Sequence, residues 1–464
     1  MRRRHIALIT TVAFVSLLAA MCFGCRSTQS PQFSSPATAG FNSRDLIDPT
    51  AQEESEALNP ASELVVAAER FRKDRQKKLG EQSVTEGGAA ATRPDRNILC
   101  LSGGGSLGAY SAGVLVGWSE RGDRPNFDVV TGVSTGALLA PLVFLGPKYD
   151  GAMKRLYTTR ESKNLYKRRL LWGLLSDSLM DTTPLAAEID AFLTAEAMQD
   201  LAEAHRAGRR LYIGTTEAEG KQFVVWDIGA IAARNGPHDR DLIIKILLGS
   251  SAAPGFFPSA KIEVTIDGVQ HTESHVDGGV SQALFFQPPH IPAEQRSDVA
   301  ARDLAGAKVY VIVAGKLYAD PAVIRPWCLS HAATSISTLI YAETRGDLQR
   351  LYMVCLLTGM DYYVSAIPSD FPTSMSSSEF KPAEMVALFE EGRRVVSSAK
   401  PWRTTPPGVG PGESVLARIG PTLIHRPRGP LLPIGGVERK NIPPHFPVSE
   451  RGSLPATPFV PIAK

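Results

Sequence analysis

The sequence predicts an α/β domain of three layers, with a central, mostly parallel sheet between two layers of helices. Three observations carry this expectation. Short apolar-rich runs at residues 98–101, 127–133 and 308–313 suit strands buried on both faces. A glycine-rich turn follows each of the first two runs and opens an apolar helical pattern, so strand, turn and helix repeat as a parallel sheet requires. The chain has 464 residues, 43% apolar and 21% charged, enough for one large domain with flanking segments.

Four segments follow from composition: 1–25 as a signal or membrane-anchor segment, 26–96 as a flexible tether, 97–398 as the folded domain, and 399–464 as a disordered tail rich in Pro and Gly. Met1 to His5 is basic, and residues 6–24 carry no charge and many apolar side chains, the pattern of an export signal. Cys25 closes this run and precedes a polar stretch, which suggests a bacterial lipoprotein with lipid on that cysteine; an uncleaved anchor helix is the alternative. The expected location is therefore exported and membrane-attached, in a bacterial cell envelope. Residues 27–96 are rich in Ser, Gln, Glu and Ala, and within them 63–78 has helical spacing that reads best as a solvated stalk.

Within the domain, 98–101 is the first strand, 106–120 a helix stopped by Gly122, 127–133 the next strand and 135–145 its helix. Residues 149–206 read mainly as helix. Inside them, 165–179 combines Leu and Trp with Lys167, Arg168 and Arg169, a pattern compatible with shielding a site, touching lipid, or packing on the sheet. Strands are expected at 211–216 and 223–227, a helix at 239–253 before Pro254, and a hairpin through Asp267 and Gly268 that ends at Asp277. A buried strand at 308–313, helix over 330–358, a late strand at 362–367 and a helix over 382–398 complete the pattern. From Pro401 onward, periodicity gives way to recurrent Pro and Gly.

The net charge of +3 offers no argument for a nucleic-acid partner. Five cysteines show no metal-type spacing, and Cys100 falls inside a buried strand pattern as core filling. No metal and no organic cofactor is implied.

Chemistry concentrates between Asn97 and Gly136. Gly103, Gly104, Gly105 and Gly108 mark the first turn; Gly132, Ser134 and Gly136 mark the second in G-x-S-x-G spacing. A residue that leaves a buried strand and at once enters a helix sits on a crowded backbone, and small neighbours two before and two after relieve the crowding and lift Ser134 into a cleft. The helix after Ser134 aims its N–H groups and positive dipole end at the same place. Three consecutive glycines offer bare backbone N–H groups of the kind an oxyanion hole needs. Either turn alone is compatible with a tight turn in an α/β protein, and the first with a phosphate cradle. Together they point to acyl transfer by a serine nucleophile.

With these motifs the chain resembles the patatin-like phospholipases, a family of serine acyl hydrolases. The matching residues are Gly103 to Gly108, Gly132 to Gly136, the stretch 250–258 and, downstream, Asp277, Gly278 and Gly279. The resemblance spans roughly residues 97–320, with a weaker echo to about 398. Leu107 departs from it, because family members often carry Arg or Lys there.

A serine hydroxyl needs a base. His290 or His331, after Asp277, would fit the chain order of an α/β-hydrolase triad, although neither sits in a turn resembling a catalytic loop. The resemblance instead implies a Ser-Asp dyad, with Ser134 as nucleophile and Asp277 as general base, and Gly103, Gly104 and Gly105 as oxyanion donors. The expected activity is hydrolysis of fatty-acyl esters in phospholipids or simple lipids at a membrane surface. A carboxylesterase or thioesterase acting on soluble substrates, and an inactive envelope-tethered interaction protein of the same fold, are the alternatives.

Overall fold

Alternate residues of the first strand serve opposite faces of one sheet. In β1 (Asn97–Leu101), Leu99 and Leu101 enter one apolar cluster while Ile98 and Cys100 enter another, as the two-residue period of a strand dictates. Both clusters are fully covered, so the sheet is the middle of three layers. The computed structural model describes residues 60–85, 96–159, 167–168, 180–266, 268–286, 304–318, 328–372 and 380–409.

The elements that position the site are β1; α2 (Gly108–Arg121); β2 (Val129–Val133); α3 (Thr135–Leu145); α4 (Asp150–Thr158); β5 (Arg210–Glu217); β6 (Gln222–Asp227); α8 (Asp239–Ser250); β7 (Ala260–Ile266); β8 (Val269–Asp277); β9 (Lys308–Lys316); α9 (Cys328–Thr358); β10 (Asp361–Ile367); and α10 (Pro382–Val396). Between them lie the two-residue strands β3 (Lys167–Arg168) and β4 (Met180–Asp181), α5 (Thr183–Phe192), α6 (Ala195–Arg206) and α7 (Ile228–Arg234); α1 (Pro60–Thr85) precedes them all. The sheet order is β10-β9-β1-β2-β5-β8-β7, with β6 also paired to β5. The five strands from β10 to β5 run parallel, and β6, β7 and β8 run antiparallel to their neighbours. This is the mixed, mostly parallel sheet the sequence predicts.

One feature of the register sets up the site. β2 pairs along one edge of β5 as far as Val133↔Gly214. β8 comes down the same edge from the other direction, as far as Thr215↔Asp277. The opposite edge of β5 is occupied by β6. Two strands therefore meet end to end on one edge, and the residues at the junction are Ser134 and Asp277.

Three expectations change. Residues 60–85 form a helix, α1, which docks on the domain: Ala68 packs against the apolar cluster under α9, Arg72 pairs with Asp361, and Gln76 Nε2 donates to the Gly359 carbonyl (2.8 Å). A wholly solvated stalk over 63–78 is thus corrected; the sequence showed the helical spacing but not the partner surface. The folded part also runs past 398. The Trp402 ring packs at a tilt against Trp118, centroids 4.8 Å apart, Arg403 bridges to Val364, and Pro406 to Gly408 are buried, so these residues belong to the folded part rather than the tail. Finally, the described residues of 149–206 include, besides helix, the short strands β3 and β4, which pair with each other. Cys25 and the rest of 1–59, Asp267, His290 and most of 165–179 lie outside the described residues.

Candidate active site

Ser134 sits between β2 and α3 with φ 54° and ψ −123°, a conformation side chains rarely adopt. Such strain costs on the order of 1–3 kcal/mol and persists only where the surroundings impose it. Here they do. Gly136 lies so close to β1 that a Cβ on it would fall 2.4 Å from the Leu101 carbonyl oxygen, and Gly132 is pressed against Gly136 in the same way. The turn is therefore locked between two strands, and the serine side chain is driven out at the end of the sheet.

Ser134 Oγ donates to Asp277 Oδ2 at 2.7 Å. The other carboxylate oxygen, Oδ1, accepts the amide of Gly279 at 2.8 Å, and the amide of Asp277 donates to the Ala252 carbonyl at 2.9 Å. Asp277 keeps only a narrow opening to solvent, and burial pushes its carboxyl up to about 6, against the opposing pull of the Ser134 and Gly279 hydrogen bonds. No histidine touches this carboxylate among the described residues. His331 is exposed on α9, and His275 is buried with its ring nitrogens bonded to Thr215 and Glu273.

The triple glycine stands beside the serine. A Cβ on Gly103 would lie 3.2 Å from Ser134 Cβ. The amide of Gly103, however, donates to the Ala283 carbonyl at 3.0 Å. This corrects the expectation of three equivalent donors: Gly103 ties the loop to the segment after Asp277, and its N–H is already spent. No comparable tie holds the amides of Gly104 and Gly105 among the described residues. Gly104 approaches β9 so closely that a Cβ would sit 2.1 Å from the Ala314 carbonyl oxygen, so only glycine fits there. Leu107, in the position that departs from the resemblance, packs against the apolar core. Gly108 is the first residue of α2 and lies against Thr135 and Tyr157, whose hydroxyls bond to each other. Gly278 packs against the Gly214 carbonyl and Val133 at the junction of β2, β5 and β8.

Two residues without a motif-level signal hold this arrangement. Ser250, at the end of α8, accepts the amide of Ser134 (3.0 Å) and donates to the Gly214 carbonyl (2.7 Å), so one hydroxyl bridges the nucleophile turn to β5. It lies in the stretch 250–258 singled out by resemblance, where its own role was not readable. Asp347, in the middle of α9, accepts the amides of Ala283 (2.8 Å) and Leu284 (3.3 Å). Nothing in its local sequence marks it.

The fold and this junction define a three-layer α/β/α domain built around a strained serine turn faced by a buried carboxylate. Residues 99–289 match the family model described as patatin-like phospholipase, and this part of the chain is a patatin-like phospholipase domain. Among solved structures, VipD from Legionella pneumophila aligns at 13% identity and a TM-score of 0.33, over 65% of this chain and 66% of that one. The type III effector protein ExoU aligns at 16% identity and a TM-score of 0.20, over 66% of this chain and 52% of that one. The chain thus spans less than two thirds of either structure. No curated protein matches it in sequence.

Proposed function

We propose that the domain hydrolyses fatty-acyl esters of lipids, with Ser134 as nucleophile and Asp277 as the base that serves it directly. The observation that carries this reading is the 2.7 Å hydrogen bond from Ser134 Oγ to an Asp277 carboxyl whose affinity for protons is raised to about 6. A carboxylate at that value is ionised at neutral pH yet basic enough to take a proton in the transition state.

As Ser134 Oγ attacks the acyl carbon, its proton passes to Asp277 Oδ2. The carbonyl oxygen becomes an oxyanion that faces the amides of Gly104 and Gly105 and the amino-terminal end of α3, beginning at Thr135. Collapse breaks the ester C–O bond, and the proton on Asp277 goes to the departing alcohol. Water then adds to the acyl-serine, gives one proton to Asp277, and the second collapse releases the fatty acid and returns the proton to Ser134 Oγ.

The test is ester turnover by wild type, Ser134→Ala and Asp277→Asn on a long-chain phospholipid and on a short water-soluble ester. Loss of both activities in both variants is the expected result. Undiminished turnover in either variant removes that residue's role, and a preference for the soluble ester would favour a carboxylesterase. Retained labelling of Ser134 by a fluorophosphonate argues against an inactive interaction protein. The apolar amino-terminal run ending at Cys25 supports export and lipid attachment as part of the same reading. Palmitate labelling that persists in Cys25→Ser would overturn the attachment.

A further inference from the structure

The pairing of β2 with β5 stops at Val133↔Gly214, and the pairing of β8 with β5 begins at Thr215↔Asp277. The ladder is broken between these two pairs. At the break, the Ser250 hydroxyl accepts the Ser134 amide at 3.0 Å and donates to the Gly214 carbonyl at 2.7 Å. A hydroxyl has one proton to give and lone pairs to receive with, so one side chain serves both groups. Ser250 is completely buried, where a main-chain N–H and C=O left without it would find no water.

The next two residues grip the same place. Ser251 Oγ donates to the Ser134 carbonyl at 3.4 Å, and the Ala252 carbonyl accepts the Asp277 amide at 2.9 Å. Three consecutive residues therefore hold the main chain on both sides of the hydrogen bond between Ser134 and Asp277. Their own footing is firm. They close α8, whose Ile243, Ile246 and Leu247 are completely buried. A Cβ on Gly249 would meet Ala260 Cβ at 3.1 Å and His275 Cβ at 3.3 Å, so the last turn of α8 lies on β7 and on the strand that ends in Asp277. The Ser251 amide still bonds to the Leu247 and Leu248 carbonyls, at 3.2 and 3.1 Å.

We propose that Ser250 is a positioning residue of the reaction: residues 250–252, at the end of α8, set the distance between Ser134 Oγ and Asp277, and the Ser250 hydroxyl holds Ser134 in its strained turn. The proposal rests on the reading of Ser134 and Asp277 as the reacting pair. The strain is the reason a clamp is needed, because a serine at φ 54° relaxes unless its surroundings hold it. Gly132 and Gly136 make the turn sterically possible, and the bond to the Ser134 N–H fixes the peptide plane that precedes it. Without that bond the turn relaxes and carries Oγ away from Oδ2. The Ser134 hydrogen bond pulls the proton affinity of Asp277 down against the raising effect of burial, so a looser bond leaves the carboxyl more readily protonated.

The test titrates the Asp277 carboxyl by carbon NMR in the full chain, with its signal assigned by loss in Asp277→Asn. In Ser250→Ala the midpoint should rise, by up to about one pH unit if the hydrogen bond is lost. Ser250→Thr keeps a hydroxyl and should hold the wild-type midpoint. On a short soluble ester, Ser250→Ala should lose about ten- to hundredfold in kcat with KM little changed. A lowered melting temperature with midpoint and kcat unmoved would make Ser250 a packing residue and overturn the proposal. Equal midpoint shifts in the Ala and Thr variants would overturn it as well. If wild type hydrolyses no ester, the reading of Ser134 fails while the titration still decides the clamp.

Discussion

The Asp347 carboxylate accepts the amide of Ala283 at 2.8 Å, and the carbonyl of that same residue accepts the amide of Gly103 at 3.0 Å. One side chain on α9 thus holds the segment after Asp277, and that segment holds the glycine loop. Asp347 Oδ1 is paired with Arg350, leaving Oδ2 for the two backbone amides.

Asp347→Ala should lower kcat on a soluble ester by about ten- to hundredfold with little change in KM, because misplacing the glycine loop removes stabilisation only in the transition state. Asp347→Asn keeps an acceptor for Ala283 and Leu284 and should retain most of the rate. Steady-state kinetics on both variants checks the contrast, and equal losses in the two would assign Asp347 to stability alone.

Activity should depend on an ionised Asp277. With its carboxyl raised to about 6 by burial, kcat/KM should fall as pH drops through that value and level off above it. The rate of fluorophosphonate labelling of Ser134 should follow the same curve. A labelling rate that is flat from pH 5 to 8 would be inconsistent with Asp277 as the base.

The same burial carries a stability cost. An isolated aspartate ionises near pH 4, whereas Asp277 in the fold holds its proton to about 6. The folded state therefore binds more protons in this window, and stability conferred by the protonated form is lost as pH rises from about 4 to 6. Asp277→Asn, inactive, should be more stable than wild type above pH 6, by up to about 3 kcal/mol from the size of the shift, and the difference should shrink towards pH 4. Asp347 is raised to about 6 in the same direction, chiefly by burial, so the comparison must be between variant and wild type at each pH. Denaturant titrations at pH 4.5 and 8 measure it.

Gly104→Ala places a methyl group 2.1 Å from the Ala314 carbonyl oxygen, so either the loop or β9 must move. Loss of one oriented oxyanion donor costs about 10²–10³ in kcat. We expect a loss of that order with substrate affinity largely kept, measured on a soluble ester. Near-normal kcat would show that the Gly104 amide faces away from the reacting carbonyl.

Much of this protein was legible in its residues because local rules govern them. The short apolar runs at β1, β2 and β9 and the glycine turns announced buried strands and a parallel sheet, since two-residue periodicity and backbone crowding act within a few residues. Ser134 and its flanking glycines belong to that class. Asp277 was readable through resemblance, because D-G alone is a common turn. The docking of α1 was not readable: its helical spacing is local, but the Asp361 and Gly359 carbonyl that receive it lie about 290 residues away in sequence. The packing of Trp402 and Arg403 was masked by Pro and Gly, which signal irregular backbone but not whether that backbone is buried.

By itself, then, the sequence determined the strand-turn-helix units and the strained turn at Ser134. Only the tertiary structure decided that β2 and β8 meet head to head on one edge of β5, which is what brings Ser134 and Asp277 to 2.7 Å. It alone showed that the Gly103 amide is spent on Ala283, and that Asp347, without any motif, holds that contact in place. The physical reason is that conformational preferences act between near neighbours in the chain, whereas these hydrogen bonds join segments whose meeting depends on sheet order and register.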